Sequence, residues 1–589
     1  MSERCVWIVA RRAALPLAIV VALTGCALIP TSGPVEQASQ APAGGGMPRF
    51  DIQPAAPVPG ASPDQILAGF LAAVSSNSET RFTIARQYLT GAAAGEWNPA
   101  ASVTIYDSTT GGPVTDDKSA VLTSPVVGQV DADGRYTAVS VPGFSHNFAM
   151  EQVDGQWRIG DPGPGILVSQ TRFSQVFRAV PIYYFDHGLD RLVIENLYMN
   201  WVDATPTAAV AGLIKGPSPW LGPAVVTAVP PQTKLAVSSV PTPGGVAVIS
   251  LTDPALGLDG SQRLRLATQL VWTLQGFAVS GVTIDVAGTH LKVTGEDADG
   301  VFRIVAAGDH QTIDAPASQN VYALLEDHSV AVLSTAAGGP AQPLPGPLGT
   351  ADAWPDGPAN QLAVGPDGAT LAATSPTKLW LGSTTSGEPA RVVAEGTDFT
   401  RPQVNGQGTW VIDRRAVPVL QLVGRAGDLQ QVALGDLAGA HVAAFRVAPD
   451  RTRIVVALTI GGVSELGLLR IKSTAPLEVD GWRPLTVLTD HGPFVSVEDV
   501  GWLSATQLVA LATTSKDGKA SVFRMDVDAA TVAAIGPLSG EAPVALAVQP
   551  RAEGVTAIAV TASGAGLHYE DATRWPPLAT GLLAVALPD

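Results

Sequence analysis

At 589 residues the chain is too long for one hydrophobic core, and 46% hydrophobic against 15% charged residues argues for several packed domains. Its 35 Lys+Arg and 52 Asp+Glu give a net charge of −17, which argues against nucleic acid as a partner, because neutralising phosphates needs a basic surface. The 61 Gly and 47 Pro suit a turn-rich β protein.

Residues 1–25 read as a secretory leader: Arg4, Arg11 and Arg12 precede an apolar run from Ala13 to Leu23. Eleven residues span only about 16 Å as a helix, against a hydrocarbon core of roughly 30 Å, so the run is too short to anchor the chain as a helix. Leu23-Thr24-Gly25-Cys26 resembles the lipobox of bacterial lipoproteins. The resemblance implies cleavage between Gly25 and Cys26, with Cys26 carrying S-diacylglycerol and an N-acyl (palmitate-type) chain, which would hold the protein on the extracytoplasmic face of the plasma membrane. With Cys5 removed in the leader, Cys26 is the only cysteine left and no intrachain disulfide can form.

Residues 26–60 are a tether rich in Pro and Gly, including Gly44-Gly45-Gly46. A flexible chain of about 35 residues reaches roughly 30 Å. Residues 61–175 form a first folded unit. Ser62-Pro63-Asp64-Gln65 is a capping box opening a helix with Ile66, Leu67, Phe70, Leu71 and Val74 on one stripe. A short helix over Phe82 to Leu89 follows, then strands over Ser102 to Tyr106, Val121 to Val130, Tyr136 to Val141 and Phe148 to Val153, and a hairpin at Asp154-Gly155 leading into Gln156 to Ile159. That order predicts a small α+β domain of the cystatin-like or NTF2-like kind.

Residues 176–296 form a second α+β unit, with strands at Val180 to Phe185 and Leu192 to Tyr198. A helix runs from Thr205-Pro206 to Gly216-Pro217, and a longer one is capped by Ser261. Leu213-Ile214-Lys215-Gly216-Pro217, Val229 to Leu235, Val246 to Leu251 and Arg263 to Leu274 resemble the GerMN domain of spore-germination proteins in order and spacing. Gln232 stands where such domains often carry Gly.

Residues 297–589 repeat a tight turn between two apolar strands. Taking Asp367, Gln407, Asp450, Ser504 and Arg551 as equivalent, the steps are 40, 43, 54 and 47 residues, the period of a four-stranded β-propeller blade. No such unit can bury both faces of its sheet alone, so blades stack around an axis. Val321 to Leu325 and Val330 to Ser334 open the first of about six blades, and Leu582 to Leu587 is a strand able to close the ring on it.

No catalytic constellation emerges. The eight histidines are scattered, no nucleophile elbow or phosphate loop is present, and Asp131 to Gly134 and Asp297 to Gly300 place their glycine too early for an EF-hand and read as hairpin turns. The expectation is a protein with no catalytic residues, no cofactor and no metal. Trp354, Trp380, Trp410, Trp482, Trp502 and Trp575 belong in blade cores, with an exposed ligand-binding face as the alternative.

The full order of leader, tether, α+β unit, GerMN-like unit and propeller resembles the actinobacterial LpqB lipoprotein family. The resemblance implies an accessory of the MtrA/MtrB two-component system that contacts the extracytoplasmic domain of the sensor kinase MtrB and influences cell-wall homeostasis and cell division. A protein that binds peptidoglycan fragments of the cell wall is the alternative.

Overall fold

The computed structural model describes residues 54–588 apart from 77–81, 110–111, 117–118, 309, 311, 314–315, 335–338 and 538–539. Gly25, Cys26 and the tether up to residue 53 lie outside the described residues.

The first unit opens with the helix Pro63–Val74, whose Gln65 side chain accepts from the Ser62 N–H at 3.1 Å. Its stripe of Ile66, Leu67, Phe70 and Val74 is buried against Trp97 and Phe148, with Phe70 and Trp97 ring centroids 5.5 Å apart. Helix Thr83–Gln87 falls within the expected Phe82 to Leu89, and a further helix, Gly91–Glu96, which the sequence did not suggest, follows and ends before Trp97. The sheet runs Tyr136–Val141, Val126–Asp131, Ser102–Tyr106, Ile166–Ser169, with the last pair parallel. The expected strand from Val121 to Val130 is broken. Ala120–Thr123 pairs with Gly112–Thr115 and Ser145–Asn147 in one sheet, and Val126–Asp131 belongs to another. Pro125 sits at the break; it lacks the N–H that a continuous ladder needs.

In the second unit the hairpin Phe177–Phe185 and Leu192–Asn200 lies beside helices Pro206–Lys215 and Gly260–Leu274. Thr205 caps the first helix as expected. The longer helix is capped by Asp259 rather than Ser261, because the Asp259 carboxylate accepts from the Gln262 N–H at 2.8 Å and the Gln262 side chain returns a bond. That helix connects Val246–Leu251 to its parallel partner Gly281–Val286, and Leu266, Leu270, Val271 and Leu274 fill the core between. Gln232 adopts φ +66°, the left-handed region that favours the glycine common at this step.

Six four-stranded sheets then form a propeller, each blade an antiparallel run of strands A to D from the axis outward. Blade 1 takes strand A from the end of the chain: Leu582–Ala586 pairs with Val321–Leu325, followed by Val330–Leu333 and Gln342–Pro343. The A strands of blades 2 to 6 are Gln361–Val364, Gln403–Asn405, His441–Val447, Phe494–Trp502 and Pro543–Gln549. Closing the ring with the two ends of the domain leaves no free inner edge and ties the last strand to the first blade. The repeated turns seen in the sequence are the A–B turns of blades 2 to 6. Trp354, Trp380, Trp410, Trp502 and Trp575 are buried between strands, each indole N–H bonded, for example Trp502 to Arg446 O at 3.0 Å and Trp380 to Pro355 O at 3.0 Å. An exposed aromatic face built from these five is therefore excluded.

Candidate functional site

In an up-and-down blade the A–B and C–D turns share one mouth of the ring, and the B–C turns and D-to-A connections share the other. The first mouth is covered by the rest of the chain. Ala505, in the A–B turn of blade 5, is buried against Tyr183, Phe185, Leu192 and Ile194 of the second unit. Arg451, in the A–B turn of blade 4, lies 3.4 Å from the Asp190 carboxylate. Where the chain enters the propeller, the Ala317 N–H donates to Pro366 O at 2.8 Å. Gln549 Nε2 donates to Pro588 O at 2.8 Å. A cavity of about 40 Å³ remains among Ile313, Pro316, Trp502 and Pro588, room for a few waters only.

Two side chains pin the neighbouring units to this side of the ring. Trp220 of the second unit lies against blade 4: its indole N–H donates to Gly481 O at 2.7 Å, its carbonyl accepts from Arg470 at 2.7 Å, and the Arg483 guanidinium sits 5.6 Å from the ring centroid. Tyr198 donates to the Asp528 carboxylate in the C–D turn of blade 5 at 3.0 Å, while its ring packs on Tyr136 and Phe173. Burial, with the charge of Asp526 beside it, pushes Asp528 up to about 6. The same burial and the Asp528 charge hold the Tyr198 hydroxyl above the usual phenol range.

The axis is filled by an ionic cluster. Arg401, on the connection into blade 3, donates to Leu362 O at 3.2 Å, Leu546 O at 2.6 Å and Val585 O at 2.7 Å, carbonyls of three other blades. Asp499 of blade 5 stands 3.6 Å from both Arg401 and Arg446 and accepts from the Leu546 and Val500 N–H groups at 2.9 Å each. These groups bond to one another and to backbone, an arrangement that ties the blades together across the axis. Among the described residues no three His, Cys, Asp or Glu side chains converge as a metal site. Asp131 and Asp297 each turn their carboxylates onto backbone N–H groups two and four residues on, as hairpin turns do.

The second mouth is different. Val417 and the pair Ile460 and Val463 flank the B–C turns of blades 3 and 4, and Val495, Val544 and Leu583 stand at the start of the A strands of blades 5, 6 and 1. All six are exposed, Val463 at 61%, Val495 at 53% and Val544 at 51%. Among the described residues from Val321 onward they are all of the exposed large apolar side chains except Leu429. No single one calls for explanation, but gathering them at one end of a ring makes an apolar collar of the sort that marks a protein contact.

Sequence reasoning did not find the collar, the axial Arg401–Asp499–Arg446 cluster or the Trp220 wedge. Trp220, an aromatic set among Pro217, Pro219 and Pro223 in a loop, was the one readable signal. Cys26, the predicted lipidation site, lies outside the described residues, and among the described residues no helix is long and apolar enough to cross a membrane.

Residues 56–174 match the family described as the N-terminal domain of lipoprotein LpqB, residues 181–292 the sporulation and spore germination family, and residues 331–588 the lipoprotein LpqB beta-propeller domain. The chain is 30% identical to lipoprotein LpqB of Cutibacterium acnes over 98% of this chain and 99% of that one. Identity to lipoprotein LpqB of Thermobifida fusca is 26% over 84% of this chain and 86% of the relative, and to that of Streptomyces avermitilis 27% over 88% of each. With three domain matches in order and a relative aligned end to end, the chain belongs to the lipoprotein LpqB family.

Proposed function

We propose that the protein is a lipid-anchored, non-catalytic accessory of the MtrA/MtrB two-component system, held on the outer face of the plasma membrane through Cys26. The open mouth of its propeller would dock on the extracytoplasmic domain of the sensor kinase MtrB and so influence cell-wall homeostasis and cell division. The observation that carries this reading is the collar of Val417, Ile460, Val463, Val495, Val544 and Leu583 on the one mouth that the described residues leave uncovered. Two acyl chains, each buried CH₂ contributing about 0.8 kcal/mol, anchor a body whose net negative charge gives it no attraction to anionic lipid. Confining both proteins to one membrane plane raises their effective concentration, so a modest apolar patch suffices for pairing. Docking that favours one kinase conformation over another shifts signalling by that difference in affinity.

The test is binding of the purified kinase extracytoplasmic domain to the chain and to the double variant Val495→Asp, Val544→Asp. Loss of binding with the fold intact supports the reading. Undiminished binding by the variant overturns it.

A further inference from the structure

The first two units are tied to each other and meet the propeller as one body. The Gly134 carbonyl accepts from the Tyr198 N–H at 2.6 Å, Arg135 donates to Gly216 O at 3.0 Å, and Asn200 donates to Ser76 O at 3.0 Å. All three domains come together at the C–D turn of blade 5, residues 527–531. There Ala530 packs on the core of the first unit, Ala138 of the first unit packs on the cluster that holds Ala529, and Tyr198 of the second unit donates to Asp528. The turn fixes that carboxylate under Tyr198: the Ala530 N–H donates to Asp528 Oδ1 at 3.0 Å, and Ala529 takes φ +61°, a left-handed conformation that a residue with a Cβ disfavours. The charged and titratable groups facing Asp528 are Asp526 two residues before it, Arg483 of blade 4, Tyr198 of the second unit and Tyr136 of the first. Arg483 also lies over the Trp220 ring. Tyr136 and Tyr198 are buried with ring centroids 5.3 Å apart, so docking brings two phenols and a like charge onto one carboxylate.

We propose that this junction is a pH-operated latch between the paired first two units and the propeller, closed when the Asp528 carboxyl holds a proton and loosened when it ionises. In the docked form the aromatic cover removes water and Asp526 repels a second negative charge, so the proton stays on up to about pH 6; undocked, the same carboxyl meets water and titrates near its ordinary 3.8. Docking therefore takes up a proton between those values. The contribution is full below about pH 4, is lost as pH rises through about 6, and is flat above. From pH 5 to pH 7 the docking constant should fall about ten-fold. The Tyr198 hydroxyl can donate to the ionised carboxylate and to the carbonyl oxygen of the neutral acid alike, so the bond bridges both states. Trp220 carries no titratable group and keeps its bonds to Gly481 and Arg470, so the latch tunes docking and does not abolish it.

Electron–electron distance measurement between two nitroxide labels tests this. The labels go on Ser239→Cys of the second unit and Leu429→Cys of blade 3, both exposed, in the full chain carrying Cys5→Ser and Cys26→Ser. Trp220→Ala is added to remove the wedge and bring the undocked form into the measurable range. The expected result is a docked and an undocked distance whose ratio shifts about ten-fold toward undocked from pH 5 to pH 7. Asp528→Asn, neutral throughout, should hold the ratio near its acid value at both pH values, and Asp526→Asn should shrink the shift by removing the like charge. An unchanged ratio, or a single docked distance at both pH values, overturns the latch. A full ten-fold shift that persists in Asp528→Asn overturns the assignment to this carboxyl.

Discussion

The two mouths of the propeller are built from the same repeated blade yet carry opposite surfaces. At one, the A–B and C–D turns meet the other two units through Ala505, Arg451, Asp528 and the wedge of Trp220, each of which has a partner within the chain. At the other, Val495, Val544 and Leu583 at the start of the A strands are exposed. Burial therefore follows which mouth the preceding domains occupy and not blade sequence, and an apolar side chain left exposed where the chain could have covered it is a stronger pointer to a partner than the same residue on an edge.

The largest expected effect lies between the mouths. Asp499→Ala strips the carboxylate that stands 3.6 Å from both Arg401 and Arg446 and leaves buried guanidinium charge, so denaturant unfolding should show a loss of about 3–5 kcal/mol in the propeller transition. A smaller loss would mean that the backbone carbonyls alone hold Arg401. Next comes Trp220→Ala. The side chain is half-buried, so about 2 kcal/mol should go, and it should go from domain docking: unfolding should separate into two transitions and proteolysis near residues 296–320 should speed up.

The covered side also carries a pH dependence. Asp528 titrates near 6 in the folded protein and near its ordinary 3.8 when unfolded, so the native state holds the extra proton between those values. Its contribution is fully present below about pH 4, is lost as pH rises through about 6, and is flat above. The Asp528→Asn variant should show a smaller fall in thermal midpoint between pH 4 and 6 than the parent; identical profiles would remove Asp528 from the interface energetics. The smallest effect on stability belongs to the open mouth. Val495→Asp and Val544→Asp should each change unfolding free energy by less than about 0.5 kcal/mol, because neither side chain is packed, and a larger loss would reveal a structural role for the collar.

Much of this architecture was legible. The turn spacing identified the blades because Pro-Asp and related turns are local features that each blade must repeat. The closing strand at Leu582–Ala586 was readable because a ring needs an edge partner for Val321–Leu325. The helix caps at Ser62 and Thr205 were likewise local, and the error at Ser261 came from two capping residues lying two apart, where only Asp259 reaches the Gln262 N–H. What stayed hidden was long-range. Arg401 meets carbonyls 145 and 184 residues away, and no local pattern marks an arginine that crosses an axis. The collar is invisible for the same reason: its six residues lie in five separate blades and become one surface only when the ring closes.

The most direct measurement is a hydrogen-exchange footprint of the full chain with and without the kinase extracytoplasmic domain. Protection should appear at 460–464, 494–497, 543–545 and 582–584, with the A–B turns at 449–452 and 503–506 unchanged. Protection confined to those A–B turns or to residues 56–174, with the collar exchanging freely, would contradict the account.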